Sequence, residues 1–210
     1  MERFDVVEGL AAPLPTANID TDVIMPKRYL KGIDKSGLAE GVFHDLRFGP
    51  SGKPDDTFVL NRPSWAGASI LVVGPNFGAG SSREHAVWGL RQFGICALIG
   101  TTYAGIFFDN CARNGLLAIT LEARDVSVLS DLAADATKNR FAIDLPAQQI
   151  RAGATIISFQ LPSLLKRMLM EGLDMVGLTL GERSLIAEFE DKYYAARPWL
   201  RIGTTVAAVG

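Results

Sequence analysis

One stretch, residues 69–121, constrains the fold more than the rest of the chain, because its apolar pattern alternates between two periods. Residues 69–73 are a short apolar run stopped by Gly74-Pro75, as in a buried strand. After a loop, residues 81–93 place Ala86, Leu90 and Phe93 at i, i+4 and i+7, with Val87 beside them, and Gly94 ends the helical pattern. Residues 95–99 form a second apolar run closed by Gly100. Residues 103–113 are a shorter helical segment ended by Asn114-Gly115, and residues 116–121 a third run. Strand–helix–strand–helix–strand in that order builds a parallel sheet with right-handed crossovers. The expected class is α/β: a mixed sheet with a parallel portion, flanked by helices.

The flanks are less regular. In residues 1–65, Pro13, Pro15, Pro26, Gly32, Gly37, Gly41, Gly49, Pro50, Gly52, Pro54 and Pro63 exclude long helices and leave short strands at 4–7 and 57–60. Beyond residue 121, strand-like pieces near 140–144 and 155–158 precede helices at 162–171 and 182–196. On the first of these helices Leu164, Leu165, Met168 and Leu169 make an apolar stripe suited to core packing. One domain over 1–200, with a flexible tail over 201–210, is expected.

Composition removes several function classes. The chain has 210 residues, 48% hydrophobic and 21% charged, enough for a core without covalent staples. Its formal net charge of -2 provides no basic excess for nucleic acid. No apolar run approaches a membrane span, and residues 1–5 lack the basic and then apolar start of an export signal. A soluble cytoplasmic protein is expected, without a nucleic-acid or membrane partner. Cys96 and Cys111 are too few for an iron–sulfur cluster, which normally takes four thiolates, and His44 and His85 are the only histidines. No metal or other cofactor is expected on this chain itself. Cys96 falls inside the second apolar run and is expected in the core. Cys111 carries no signal beyond a small side chain near a helix end.

The chemistry is concentrated in Gly78-Ala79-Gly80-Ser81-Ser82-Arg83-Glu84-His85, where a glycine-rich turn leaves a strand and enters a helix. Gly78 and Gly80 permit positive φ and close approach of a ligand. Unpaired N–H groups and the positive end of the helix attract an anion. Arg83 adds a planar fork that matches a carboxylate, with the hydroxyls of Ser81 and Ser82 beside it. Ser81-x-x-Glu84 also has the spacing of a capping box. The corner reads as a carboxylate- or phosphate-binding site. It is neither a Walker loop nor a dinucleotide fingerprint, since the Gly-Lys-Ser/Thr ending and the third glycine are missing.

These residues resemble the signature of aconitase-family swivel domains. Over residues 1 to about 200 the chain resembles the small subunits of 3-isopropylmalate dehydratase (isopropylmalate isomerase). Asn18-Ile19-Asp20-Thr21-Asp22-Val23-Ile24-Met25-Pro26 is similar to the family's Asp-Thr-Asp motif, and Tyr29-Leu30-Lys31-Gly32 to its substrate-selecting loop. Residues 105–117 match the segment after the second strand. Ala79 stands where many members carry cysteine, and His44-Asp45-Leu46-Arg47 lacks the tryptophan often found between the acid and the arginine.

The resemblance implies a hydro-lyase of leucine biosynthesis that isomerises 2-isopropylmalate to 3-isopropylmalate by removing water and adding it back. It implies a large-subunit partner that holds a [4Fe–4S] cluster. On this chain it implies Ser81 as the base, and Ser82, Arg83, Tyr29, Leu30 and Lys31 as contacts for a small dicarboxylate. Asp20, Thr21, Asp22, Gly78, Gly80 and His85 would support them. For His85 a packing role reads better than a catalytic one, because a helix N-terminus disfavours imidazolium. A sister substrate (citramalate, dimethylmalate or homoaconitate) and a stand-alone carboxylate-binding module are the alternatives.

Overall fold

The computed structural model of the protein describes residues 1–30, 36–80 and 83–200. The chain forms two compact units, Met1–Asp174 and Met175–Gly210, so the boundary expected at 200 falls inside the second. The first unit carries β1 (Val6–Leu14), α1 (Thr21–Ile24), α2 (His44–Arg47), β2 (Ile70–Val73), α3 (Glu84–Phe93), β3 (Ala97–Gly100) and α4 (Gly105–Arg113). It continues with β4 (Leu117–Thr120), α5 (Ala123–Ala134), β5 (Arg140–Asp144), β6 (Gln149–Ala152), β7 (Thr155–Ser158) and α6 (Ser163–Glu171). The second carries α7 (Met175–Gly181) and α8 (Arg183–Ala195), and neither helix buries a residue.

The strands form one sheet in the order β4-β3-β2-β1-β5-β6-β7. Neighbours from β4 to β1 are parallel, and the rest are antiparallel. The mixed α/β class read from the sequence is thus observed, with the alternating stretch supplying most of the parallel portion. β1 joins the halves: its residues 11–14 pair with β2 and its residues 6–10 with β5. Every residue of β2 and β3 is buried, as parallel strands covered on both faces require. Alternate side chains feed two cores. Leu71, Val73 and Leu98 pack with Val87 and Leu90 of α3 and Phe107 of α4, and Met25, Val42 and Phe43 of the turn-rich segment complete that core. Ile70, Val72 and Ile99 pack with Val126 and Leu129 of α5 and Leu165 and Leu169 of α6.

Several local expectations change. Residues 57–60 are not a strand: the Asp55 carboxylate accepts from the Thr57 N–H (2.8 Å) and hydroxyl (2.6 Å), and a 3-10 turn, Val59–Asn61, follows. Such side-chain capture is how aspartate favours turns. β1 is longer than the strand expected at 4–7 and runs through Pro13, which sits in register with Val72. α5, α7 and β6 were not expected. α3 starts at Glu84 and not at residue 81; Arg83 is its N-cap, with no side-chain hydrogen bond to the helix. Ser81 of the expected capping box lies outside the described residues; Glu84 is the first helical residue, and its carboxylate accepts from Asn114 Nδ2 at 3.3 Å. The second strand begins at Ala97, which leaves Cys96 half-exposed, while Cys111 is fully buried. On α6, Leu165, Met168 and Leu169 are buried but Leu164 faces out.

Candidate active site

β1 and β2 are parallel neighbours, so Leu14 and Val73 end at one edge of the sheet, the edge where open α/β sheets bind ligands. The two following loops are stitched together. Asn18 N–H donates to the Pro75 carbonyl (2.9 Å), Gly78 N–H to Ile19 (2.8 Å) and Thr21 N–H to Ala79 (2.8 Å). Asn76 Nδ2 donates to Asn18 Oδ1 at 2.8 Å. Asp20 and Ala79 pair as an isolated parallel bridge. The Asp-Thr-Asp segment thus runs beside the glycine-rich turn, although about sixty residues separate them in sequence.

The turn needs its glycines. Gly78 has φ 77° and Gly80 φ 97°, and a Cβ at Gly78 would lie 2.2 Å from the Phe107 ring. Phe107 is itself held edge-on by Phe77, with ring centroids 5.6 Å apart.

Each acid of the motif has a separate task. Asp20 is the N-cap of α1, its Oδ1 accepting from Val23 N–H at 2.7 Å. Thr21 is buried. Asp22 points the other way: its Oδ1 accepts from Arg83 Nη1, and its Oδ2 lies 3.4 Å from Lys27 Nζ. Arg83 is therefore fixed at the start of α3 by a carboxylate from the N-terminal segment. His85 packs its ring on Trp88 (4.7 Å), whose Nε1 donates to Asn114 at 2.8 Å.

Tyr29 and Leu30 follow α1. Lys27–Tyr29 is a 3-10 turn, and Leu30, half-buried, packs against the first core. Of the residues expected in the site, the structure brings together Asp20, Thr21, Asp22, Gly78, Gly80 and Arg83. Tyr29 and Leu30 follow Lys27, whose ammonium meets Asp22. Ser81, Ser82 and Lys31 lie outside the described residues.

The sequence reading missed the cluster next to this turn. Arg28 donates to both oxygens of Asp45 and contacts His44 Nδ1 at 2.7 Å. The guanidinium holds the Asp45 carboxyl below the usual carboxylate range. The only available signal was that His44 and Asp45 lie in a motif-like segment. Elsewhere burial pushes the Cys111 thiol well above its ordinary value, and does the same to the Tyr103 phenol, whose hydroxyl donates to Ile119 at 2.9 Å.

Comparison with known proteins agrees with this layout. Residues 1–124 match the aconitase C-terminal domain, and residues 175–201 match the C-terminal domain of the 3-isopropylmalate dehydratase small subunit. The chain is 50% identical over 202 residues to 3-isopropylmalate dehydratase small subunit 1 of Mannheimia succiniciproducens, covering 96% of this chain and 100% of that one. It is 49% identical over 201 residues to small subunit 2 of Salmonella typhimurium, covering 96% and 97%. The crystal structure of the 3-isopropylmalate dehydratase of Methanocaldococcus jannaschii superposes with a TM-score of 0.62 at 28% identity, covering 88% of this chain and 99% of that one. No described helix is long and apolar enough to cross a membrane. The glycine-rich turn beside an Asp-Thr-Asp segment at the parallel edge, and these full-length matches, place the chain in the family of 3-isopropylmalate dehydratase small subunits.

Proposed function

We propose that this chain works with a large subunit as a hydro-lyase of leucine biosynthesis, isomerising 2-isopropylmalate to 3-isopropylmalate, and is inactive alone. The observation that carries this reading is the placement of Arg83 against the Asp-Thr-Asp segment at the ligand edge of the sheet. The family places a [4Fe–4S] cluster in the complete enzyme, and the cysteines here do not suit it. Cys111 is sealed in the first core with its thiol pushed up by burial, and among the described residues no group of three or more His, Cys, Asp or Glu could hold a metal ion. In this reading the cluster belongs to the large subunit, where its iron supplies Lewis-acid help to the leaving hydroxyl.

This chain supplies the base and the grip. Ser81 Oγ takes the proton from the substrate carbon next to a carboxylate. A serine hydroxyl is a weak base, so its alkoxide needs preorganised donors. The N–H groups of the first turn of α3 and the Arg83 guanidinium, two residues after Ser81, are of that kind. Arg83 binds a substrate carboxylate, and because a guanidinium has five donors it can do so while Nη1 stays on Asp22. Ser82 adds a hydrogen bond, and Leu30, with Tyr29 and Lys31, walls the substrate's variable group.

The test is reconstitution with a cluster-loaded large subunit without oxygen, following the alkene intermediate from 2-isopropylmalate by ultraviolet absorbance. Turnover that needs both chains is expected. Ser81→Ala should abolish turnover and leave assembly intact; normal turnover would overturn the base assignment. Arg83→Lys should raise KM and lower kcat, since a point charge cannot replace the fork. Turnover of a sister diacid alone would move the substrate. Carboxylate affinity without any association with the large subunit would favour a stand-alone binding module.

A further inference from the structure

We propose that Asp45 and His44 are positioning residues for substrate selection, which set the turn that presents Tyr29 and Leu30. This rests on the reading above, in which Tyr29 and Leu30 wall the substrate's variable group.

The turn Lys27–Tyr29 is tied at both ends. Lys27 lies 3.4 Å from Asp22, the carboxylate that also holds Arg83. Arg28 spans Asp45, with Nη1 donating to Oδ2 at 3.1 Å and Nη2 to Oδ1, and Nη2 also meets His44 Nδ1 at 2.7 Å. Asp45 Oδ1 lies 3.5 Å from the same His44 nitrogen, so the three side chains form one cluster. The Tyr29 ring sits 5.2 Å from the His44 ring and 5.2 Å from the Arg28 guanidinium carbon. It also packs on Gly41, where a Cβ would come within 2.7 Å of it. Tyr29 is thus held by neighbours from two segments.

The helix that carries Asp45 is itself rooted in the core. α2 is entered through Phe43, which is fully buried. Its last residue, Arg47, donates to the Val42 carbonyl at 3.2 Å and lies 4.7 Å over the Phe93 ring at the end of α3. A continuous set of contacts therefore runs from α3 through Arg47 and α2 to Arg28 and Tyr29. Exposed ion pairs usually contribute little, but a bidentate arginine–carboxylate pair within a network is the exception.

The experiment uses the reconstituted complex. It measures kcat/KM for 2-isopropylmalate and for citramalate, which carries methyl in place of isopropyl. Asp45→Asn should lower the ratio of the two about 10-fold, through a higher KM for 2-isopropylmalate, because a misplaced apolar wall loses most of its discrimination between alkyl groups. Asp45→Glu, which keeps the charge, should restore most of the ratio. Equal losses on both substrates, or a ratio within about twofold of the wild type, would overturn the proposal. If Asp45→Asn fails to assemble, Arg28→Lys tests the same point, since a single ammonium cannot serve both oxygens of Asp45 and His44. A wild-type complex that turns over neither diacid removes the functional reading and this inference with it. An active wild type with an unchanged Asp45→Asn ratio removes the inference alone.

Discussion

A Cβ at position 78 would meet the Phe107 ring and would also sit on a backbone at φ 77°. Gly78→Ala should therefore cost about 1–3 kcal/mol from the backbone conformation and more from the clash, read as a lower urea midpoint. Gly80→Ala meets nothing closer than 3.5 Å, so its loss should be smaller. The two cysteines should react unequally. A thiol reagent should label the half-exposed Cys96 and spare the buried Cys111 until denaturant is added, which mass spectrometry would count. Asp45 makes a pH prediction. Arg28 lowers its carboxyl below the ordinary value of 3.8 in the folded chain. A carboxyl lowered on folding contributes stability above its unfolded pKa and loses it as pH falls through the folded pKa. The stability difference between wild type and Asp45→Asn should thus be constant from neutral pH down to about pH 5 and shrink progressively below pH 3.8. The glycines of the turn were legible in the sequence because φ preference is a property of one residue. The partners of Asp22 and Arg28 were not, because no local pattern states which distant charge a side chain meets.

At the scale of elements, β2, α3, β3, α4 and β4 follow the apolar periods of residues 69–121 closely, and boundaries move by only a few residues. The failures have physical causes. β1 keeps Pro13 because pairing with β2 and burial outweigh a local turn preference. Residues 57–60 lose their strand to the hydrogen bonds of Asp55. α5 was missed although Val126, Leu129 and Ala133 recur at i, i+3 and i+7 on its buried face. Its packing gives a direct check. Leu129→Ala should cost about 2–5 kcal/mol in denaturant unfolding, as a fully buried leucine does. Val128→Ala, one residue earlier and 39% exposed, should stay within about 0.5 kcal/mol. Equal effects would mean that α5 does not pack by that face.

In the whole molecule, both cores draw on residues of the first unit, and α7 and α8 bury none. The second unit also exposes Val176, Leu180, Leu185, Phe189 and Trp199, more apolar surface than scattered residues of a monomer usually show. The sequence by itself determined the α/β class and the glycine-dependent turn before α3. Both follow from short-range facts: the period of apolar residues and the φ freedom of glycine. Only the tertiary structure decided that β1 bridges the parallel and antiparallel halves, that Asp22 faces Arg83, and that Asp45 holds Arg28. Those pairings depend on the register of strands and loops far apart in sequence, and that register is set by which side chains the shared core can bury.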